Sequence, residues 1–500
     1  MSTRAVRNDF HAPVSRRVFL SAGSAGLAYA NAFAMTSAHA QSSGSATAET
    51  GPYNTFRGLV EALESRGLAL RIPRVDQDAY EGTAIMFRLI DEYGLEGAPV
   101  LIFDEVKING TWRKGPVVSN VQGHWHTEAL ALGLEPAEGP AENSFRLAKQ
   151  HLVNLLKTSG GNYPNIAPVG IDRSQALCKE VVLAGDDIDL TSFAFLQINP
   201  AGGGRYINTA SVFTSDPVLG VNFGTYRGQL LGGEQVARIS VVLGQEPLVW
   251  LLSGSRVSNR RGPEPVDELA IVGGLRGTPV EVVRSETNDL MVPAHSEIVI
   301  EGTVPLDDFA SEGPYGEMFG YQGAGVEQSF YLDVETFTHR REPWIHNSFT
   351  GIDRGLISAP SIAQSLVGLQ RFIPQLVDFH YRNEAKGVLF MAIDKNAAGQ
   401  GIEVGRRMAD LNAVAKIVVV LDGDVDRISM PSVLSAMGAR WQPHPATHIY
   451  EDLPGIDLDP SAPVQQRTSK IVIDATRQWP EEGGPEHFAK SNRTLLVEGE

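Results

Sequence analysis

The chain has 500 residues, of which 42% are hydrophobic and 20% are charged, and its formal net charge is −17. This length exceeds what one simple core holds and favours two or three domains. An acidic chain without a lysine and arginine run gains nothing from counterion release, which argues against nucleic acid and for a small-molecule ligand. The only cysteine, Cys178, excludes an intramolecular disulfide and a cysteine-based zinc site.

The first 40 residues have the pattern of a targeting segment. The paired arginines Arg16 and Arg17 precede a weakly apolar run over 22–35, and an Ala-x-Ala cleavage motif follows. This order is typical of a twin-arginine export signal, so we expect removal of residues 1–40 and a periplasmic mature protein. Residues 41–52 are a polar linker. No later stretch is apolar for about 18 residues, so the mature chain is predicted to lack a membrane span.

Residues 53–165 are predicted to form a small α/β domain. Apolar residues recur with helical spacing in some segments and alternate as in strands in others. The predicted helices are 56–63, 83–93 and 144–157, and the predicted strands are 68–72 and 100–103.

Residues 166–345 are dominated by β-branched runs bounded by glycine, proline and aspartate. Few helical segments interrupt these runs, which indicates a β-rich barrel with one or two helices. The predicted strands are 181–183, 206–209, 239–243, 280–283 and 298–300. The three glycines at 202–204 precede one of them and suit a turn that approaches a ligand.

Residues 346–500 show continuous apolar strands alternating with helices, which is typical of a parallel α/β layer. The predicted helices are 362–379, 402–411 and 432–441, and the predicted strands are 387–393 and 417–421. The glycine-rich stretch 399–405 opens a helix after a strand, but its spacing is one residue too long for a dinucleotide fingerprint.

The stretch from Ser311 to Met318 combines two carboxylates, Glu312 and Glu317, with two glycines, a proline and a tyrosine. Pro314 cannot serve inside a helix or a central strand, so the stretch is predicted to be a loop. By itself it is either an ordinary turn with solvated acids or a rigid loop whose backbone approaches a ligand.

Two further groups are candidates for chemistry. The stretch 222–228 places an amide five residues before Arg227, whose guanidinium suits bidentate binding of a carboxylate or a structural salt bridge. His124 and His126, followed by Glu128, are candidate metal ligands of a hydrolase or part of an exposed polar loop. The sequence has no phosphate-binding P-loop, no nucleophile elbow and no H-E-x-x-H motif.

Several stretches, taken in order, resemble the UbiD-like decarboxylases. They are 203–207, 222–227, 286–294, 301–302, 312–317, 424–426 and 469–476. The resemblance runs from about Phe56 to about Pro480. It implies an α/β (α+β) chain with a central split β-barrel that binds a flavin over 166–345. An N-terminal α/β domain and a C-terminal α/β dimerisation domain flank this barrel, so a homodimer or a higher oligomer is expected.

The resemblance also implies an activity, namely the reversible, non-oxidative decarboxylation of an aromatic or α,β-unsaturated carboxylic acid with prenylated FMN. A flavin prenyltransferase would supply that cofactor. The family's Glu-Arg-Glu network falls on Arg227, Glu312 and Glu317. Arg227 would hold the substrate carboxylate and Glu312 would pair with Arg227. Glu317 would protonate the carbon that loses CO₂, which requires a carboxyl kept neutral by a dry site.

The same resemblance assigns cofactor contacts to Asn222, Thr225, Tyr226, Arg227 and Lys470. A divalent manganese or magnesium ion on the cofactor phosphate would be held by Asn222 and Glu268. The histidine that completes this metal site in the family has no counterpart, because no histidine lies between His151 and His295 and the chain after Arg227 is shorter than usual. Hard cations accept oxygen ligands, so Gln245 and Glu246 are candidate replacements.

Two alternatives to an active decarboxylase follow from these observations. The first is an exported family member that binds a flavin or an aromatic acid without turnover, because its metal and phosphate site is altered. The second is an unrelated metal-dependent hydrolase that uses His124 and His126.

Overall fold

The computed structural model describes residues 17–19, 51–216, 220–224, 236–254, 257, 267–323, 325–354, 358–462 and 466–487. The α-helices in these residues are α1 (Phe56–Ser65), α2 (Glu81–Tyr93), α3 (Thr127–Ala131), α4 (Glu142–Thr158), α5 (Pro247–Ser253), α6 (Glu268–Arg276), α7 (Ala359–Leu369), α8 (Gln400–Leu411) and α9 (Met430–Arg440). None of them is both long enough and apolar enough to cross a bilayer.

The strands in the described residues are β1 (Arg17–Phe19), β2 (Ala69–Asp76), β3 (Val100–Ile108), β4 (Thr111–Ser119), β5 (Val169–Gly170), β6 (Val181–Ala184), β7 (Ser211–Asp216), β8 (Gly220–Gly224), β9 (Val236–Leu243), β10 (Glu281–Arg284), β11 (Met291–Pro293), β12 (Ile298–Pro305), β13 (Ala310–Glu312), β14 (Val326–Ser329), β15 (Tyr331–His339), β16 (Ile345–Asn347), β17 (Leu376–Tyr381), β18 (Val388–Ile393), β19 (Ile417–Asp422), β20 (Thr447–Pro454) and β21 (Arg467–Asp474).

The N-terminal sheet has four strands in the order β16-β4-β3-β2. Successive residues of a strand point to opposite faces, and β3 is apolar on both. Val100 and Ile102 pack against α1, whereas Leu101 and Phe103 join the core that also contains Met86 of α2. The fourth strand, β16, enters from far along the chain and pairs in parallel with β4. It therefore brings the segment that follows residue 347 next to the N-terminal unit.

The central sheet is antiparallel and has seven strands. Its path is β1-β15-β12-β9-β7-β8, with β6 also paired to β15. Strand β12 lies in the middle, so Ile298 is opposite Leu243 of β9 on one side and His339 of β15 on the other. Strand β1 falls inside the predicted export signal. In the described residues these strands form an open path, so the split barrel stays a prediction. The mixed α/β architecture is confirmed.

The C-terminal sheet has five strands in the order β17-β18-β19-β21-β20. Strands β18, β19 and β21 run parallel, and β17 and β20 add antiparallel edges. The parallel α/β layer predicted from the continuous apolar strands is therefore confirmed. Helix α8 packs on this sheet through Val404 and Met408, which are both buried.

One predicted helix is wrong in its second half. The helix predicted over 362–379 ends at Leu369, and residues Leu376–Tyr381 form strand β17. Pro374 explains the break, because proline has no backbone N–H and disfavours helical angles in the residue before it. The apolar residues after this proline belong to strand β17. Their positions also fit helical spacing, so the predicted helix was too long.

The strand predicted over 206–209 is also wrong, because these residues form a loop. Two of their side chains bond to the backbone of β16 and of Ser348, which follows it, instead of forming a sheet ladder. The Asn208 side-chain amide donates to the Ser348 carbonyl at 2.7 Å, and the Thr209 hydroxyl donates to the His346 carbonyl at 2.8 Å. Side-chain hydrogen bonds to backbone compete with a sheet ladder in this way.

Candidate active site

The two glutamates of the 311–318 stretch lie on a short hairpin. Strands β13 and β14 pair antiparallel, with Glu312 opposite Val326. Glu312 ends β13, and its Oε2 accepts a hydrogen bond from the Ser329 hydroxyl at 3.2 Å. The carboxylates of Glu312 and Glu317 are both buried, with each residue only 5% exposed. The interpretation as solvated turn acids is therefore wrong.

Glu317 is fixed by a tight turn in its own backbone. Its N–H donates to the Tyr321 carbonyl at 3.1 Å, and the Gly320 N–H donates back to the Glu317 carbonyl at 2.9 Å. Gly320 has a φ of +77°, a left-handed conformation that favours glycine. The turn thus holds the acid in place through main-chain contacts.

The glycine-rich 202–204 loop packs directly on the hairpin loop. The Gly203 N–H donates to the Pro314 carbonyl at 2.7 Å. A Cβ atom placed on Gly203 would lie 2.5 Å from the Cα of Gly313, so the two backbones touch without room for a side chain. The sequence suggested that this loop approaches a ligand, and in the structure it supports the loop that carries the glutamates.

Tyr206 completes this contact. Its hydroxyl donates to the Gly313 carbonyl at 3.1 Å, and its ring centroid lies 4.4 Å from that of Tyr315. Burial, and then the nearby charge of Glu312, raise the pKa of Tyr206 to about 12. The phenol therefore stays protonated and keeps its role as a hydrogen-bond donor at neutral pH.

We expect Gly313→Ala to destabilise the protein, although the substitution adds only one methyl group. The new Cβ would lie 2.6 Å from the Cα of Gly203, and backbone on both sides cannot yield as a flexible side chain would. Overpacking of this kind costs about 1–3 kcal/mol. Urea unfolding of the purified variant measures that cost. The control is Gly438→Ala, because a Cβ at Gly438 meets nothing within 4 Å. Equal stability of the two variants would contradict the close packing.

One of the predicted metal ligands contacts the backbone beside the other. Asn222 is in β8, and Glu268 is the first residue of α6. The Glu268 Oε2 atom accepts a hydrogen bond from the N–H of Phe223 at 3.1 Å. Asp267 caps the helix by accepting from the Leu269 N–H at 2.8 Å, and burial raises the pKa of Asp267. The helix start thus sets the Glu268 carboxylate against the backbone of β8, at the residue that follows Asn222.

An amide oxygen and a carboxylate are donors that a hard cation such as Mg²⁺ accepts. The chemistry of this donor pair therefore fits a divalent ion. Among the described residues, no group of three or more histidine, cysteine, aspartate or glutamate side chains is arranged to hold a metal. A metal here would need further ligands from elsewhere, such as water or phosphate oxygens.

The candidate replacements for the missing histidine do not join this pair. Glu246 forms an ion pair with Arg276, at the opposite end of α6 from Glu268. A helix of this length spans about 12 Å at 1.5 Å per residue. The Gln245 amide donates to the Ser211 hydroxyl at 2.7 Å. Glu246 is therefore a partner for arginine, and its proposed role as a metal ligand is wrong.

The remaining predicted cofactor residues divide into two groups. Thr225, Tyr226 and Arg227 lie outside the described residues. Lys470 lies in β21 and is buried, and its ammonium donates to the carbonyls of Ala409, at 2.9 Å, and Asn412. These carbonyls close the C-terminal end of α8, where a cation interacts favourably with the helix dipole. The structure thus gives Lys470 a helix-capping role and does not bring it to the glutamate hairpin.

The histidine pair proposed for a hydrolase has other contacts. The Nδ1 atom of His126 is 2.7 Å from the Ser144 hydroxyl. Glu128 is buried and pairs with Arg354 at 2.5 Å. Burial, and then the neighbouring His126, lower the pKa of His124 to about 4. The acid that followed the histidines in sequence is thus used in an ion pair, which leaves the hydrolase without a third ligand from this stretch.

The neutral state of His124 makes stability depend on pH. Its pKa is near 6.5 when unfolded and about 4 when folded, so the unfolded chain binds the proton more readily between these values. We expect the free energy of unfolding to fall as the pH drops from about 6.5 towards 4, and His124→Gln to reduce that slope. Urea unfolding at pH 7.5 and pH 5 measures this effect. The exposed His448, changed to glutamine, is the control, and an unchanged slope in His124→Gln would refute the assignment.

Comparison with known proteins identifies the family of this chain. Residues 170–239 and 233–353 match the 3-octaprenyl-4-hydroxybenzoate carboxy-lyase Rift-related domain, and residues 356–475 match the C-terminal domain of the same enzymes. The chain therefore belongs to the UbiD family of decarboxylases. The first match is split near residue 235.

Individual relatives cover almost the whole chain. A phenolic acid decarboxylase from Sedimentibacter hydroxybenzoicus is 28% identical over 87% of this chain and 93% of its own. The open form of vanillic acid decarboxylase from the same organism has a TM-score of 0.74 at 26% identity, covering 88% of this chain and 96% of the other. An evolved dimeric form of HmfF from Pelotomaculum thermopropionicum, in complex with prFMN, has a TM-score of 0.65 at 22% identity, covering 88% and 97%.

Sequence reasoning missed several residues that hold the hairpin loop. The sequence pattern predicts a strand at Tyr206, and it assigns no role to Ser329 or Thr350. Thr350 is 2.9 Å from the Tyr315 hydroxyl. No local pattern marks such residues, because their partners lie far away along the chain. The glycines at 203 and 313 were the one available signal, since two glycine-rich loops in one domain suggest a close backbone contact.

Proposed function

We propose that this protein is a prenylated-FMN-dependent carboxy-lyase that reversibly decarboxylates an aromatic or α,β-unsaturated carboxylic acid. The observation that carries the proposal is the burial of two glutamates, Glu312 and Glu317, on one rigid hairpin loop of a UbiD-family chain. Solvated turn acids need no such support. Two acids held in a dry, preorganised loop are what proton transfer to carbon requires.

The roles of the side chains follow from charge and position. Arg227 would bind the substrate carboxylate through its guanidinium fork and would pair with Glu312. Glu317 would donate the proton from its carboxyl oxygen to the carbon that loses CO₂, and would accept it in the reverse direction. Its backbone turn fixes the direction of approach, and its burial keeps water from competing for the proton.

The cofactor and the metal also have candidate ligands in this chain. Prenylated FMN would supply, when bound, the electron sink that loss of CO₂ requires. Asn222, Thr225, Tyr226 and Arg227 would contact it. Asn222 and Glu268 would hold Mn²⁺ or Mg²⁺. Magnesium is commonly held by only one or two carboxylates, with water and phosphate completing its shell, so the lack of a family histidine does not prevent binding.

The setting of the enzyme is part of the same proposal. Export by the twin-arginine route would carry the folded protein to the periplasm with its cofactor already inserted, after a flavin prenyltransferase had supplied it. The protein would act as a homodimer or higher oligomer through its C-terminal domain. Fractionation of cells that express the wild type and an Arg16→Lys/Arg17→Lys variant tests the export step, and equal periplasmic amounts of both would overturn it.

The central experiment uses protein purified from a host that makes prenylated flavin. Its absorbance spectrum and mass spectrometry of the released cofactor report binding, and CO₂ release from a panel of aromatic and unsaturated acids reports turnover. We expect both signals. Bound flavin without turnover of any acid would favour the exported, non-catalytic binding protein. Absence of flavin would refute the flavin-dependent enzyme and would leave a non-catalytic protein that binds an aromatic acid.

A further inference from the structure

The turn that follows β16, residues 348–354, packs against the glutamate loop and is joined to it by a chain of hydroxyl groups. The Tyr315 hydroxyl, located between the two glutamates in sequence, is 2.9 Å from the Thr350 hydroxyl. The Thr350 hydroxyl is 3.3 Å from the Ser348 hydroxyl. The Ser348 hydroxyl donates to Asp353 Oδ1 at 3.0 Å, so the chain ends on a carboxylate.

Asp353 is the anchor of this chain. It is 4% exposed, and its Oδ2 atom accepts from the Phe349 N–H at 2.8 Å while its own N–H donates to the Phe349 carbonyl at 3.0 Å. A buried carboxylate that accepts from both a hydroxyl and a backbone N–H fixes the shape of the turn that surrounds it. Burial raises the pKa of Asp353 to about 6, and the hydrogen bonds from Phe349 and Ser348 and the positive charge of Lys386 in the C-terminal unit oppose this rise only in part.

The backbone of the turn also touches the glutamate loop. A Cβ atom on Gly351 would lie 2.5 Å from the Glu317 carbonyl oxygen, and one on Gly316 would lie 3.0 Å from the Thr350 carbonyl oxygen. Gly351 has a φ of +89°, which favours glycine. The turn therefore contacts the residue proposed as the acid through its main chain, and contacts Tyr315 through Thr350.

The other side of the turn is fixed independently. The amide of Asn208 bonds reciprocally with the backbone of Ser348, at 2.7 Å to its carbonyl and 3.0 Å from its N–H. Arg354 ends the turn and pairs with the buried Glu128. The N-terminal unit and the 206–209 loop thus hold the turn in place. Because the turn contacts the hairpin loop, it restricts the motion of that loop as well.

We propose that Thr350 and Asp353 are positioning residues that hold Tyr315, and through it the loop carrying Glu312 and Glu317, in the geometry for proton transfer. Neither residue is assigned a contact with substrate. The inference rests on the proposed function for its catalytic consequence, whereas the ordering of the loop is a property of the protein without cofactor.

Thr350→Val tests the proposal, because it removes the hydroxyl and keeps the shape. In the cofactor-free protein, we expect amide hydrogen exchange of residues 313–323 to become about fivefold to tenfold faster, as for one lost hydrogen bond. In the loaded enzyme, kcat should fall with KM nearly unchanged, because substrate binding is assigned to Arg227. Thr350→Ser keeps the hydroxyl and should restore both quantities.

Two further variants make the outcome decisive. Asp353→Asn keeps the size but turns one acceptor into a donor, so it should accelerate exchange in the same loop. Thr338→Val removes a buried hydroxyl from β15 and should leave the loop unchanged. Unaltered exchange over 313–323 in Thr350→Val, or a Thr350→Ser variant as impaired as Thr350→Val, would overturn the proposal. If the wild type shows no turnover, the proposed function fails and the exchange data still decide the positioning role.

Discussion

Glu317→Gln is expected to reduce kcat for decarboxylation by about 10²–10⁴-fold, the usual contribution of a positioned proton donor. Glutamine has nearly the same shape as glutamate, and its main-chain turn with Tyr321 and Gly320 does not involve the side chain. The loop should therefore keep its fold and the protein its flavin spectrum. What is lost is the proton that an amide cannot deliver to carbon.

The control for this variant lies on the same hairpin. Glu327 is in β14 and is exposed, so Glu327→Gln removes the same charge from the hairpin without touching the buried site. Steady-state CO₂ release and the flavin absorbance of both variants should be measured side by side. A Glu317→Gln enzyme with the kcat of Glu327→Gln would remove Glu317 from the mechanism.

The rate of proton delivery gives a second measure of the same role. Product formed in D₂O should contain deuterium at the carbon that lost CO₂ whichever acid delivers it, so the rate of product formation, and not the deuterium content, reports on Glu317. Any residual product from Glu317→Gln should form slowly, at a rate that depends on the concentration of buffer acids, because an external acid would then replace the side chain.

The sequence predicted the regular elements where local pattern and tertiary packing agree. The parallel strands at 388–393 and 417–422 are continuous apolar runs, and no other element type buries them as well. The prediction at 362–379 failed because the spacing of its apolar residues fits one long helix and also fits a helix followed by a strand. Only Pro374 carried information on where the helix ends.

The site was predictable in part, for a different reason. Glu312, Glu317, Asn222 and Glu268 are candidates because the motifs of the family occur in the same order along this chain. Their geometry was not available from that order. The packing of Gly203 on Gly313, and the placement of Glu246 at the far end of α6, depend on how loops distant in sequence meet. Lys470 shows the same limit, since a lysine on a strand gives no indication of which carbonyls its ammonium will reach.

The largest expected effect on stability is that of Glu297→Gln. Glu297 immediately precedes β12 and is fully buried. Its carboxylate accepts two hydrogen bonds from Arg57, from Nε at 2.7 Å and from Nη2 at 2.6 Å. It also accepts hydrogen bonds from the Trp344 N–H at 2.9 Å and from Nη1 of Arg340 at 3.2 Å. This one side chain thus joins α1 to the start of β12, the middle strand of the central sheet.

An amide in this position cannot satisfy its neighbours. Glutamine offers one acceptor oxygen where the carboxylate offers two, and its NH₂ group would point at a guanidinium or at a backbone N–H. Arg57 and Arg340 would lose the charge that neutralises them while staying largely buried. Breaking a buried ion pair by removing one partner costs about 3–5 kcal/mol. We expect a loss of this size in the free energy of unfolding.

Equilibrium urea unfolding, followed by circular dichroism, measures the loss, and hydrogen exchange in α1 locates it. Glu342→Gln is the matched control, because Glu342 pairs with Lys114 through two exposed side chains and only its backbone carbonyl contacts Arg57. Exposed pairs contribute little, so this control should unfold almost as the wild type does. If Glu297→Gln and Glu342→Gln unfold at the same urea concentration, the buried carboxylate does not contribute to holding α1 at the start of β12, and the packing of Phe56, Leu59 and Leu63 on the N-terminal sheet is enough to fix the helix.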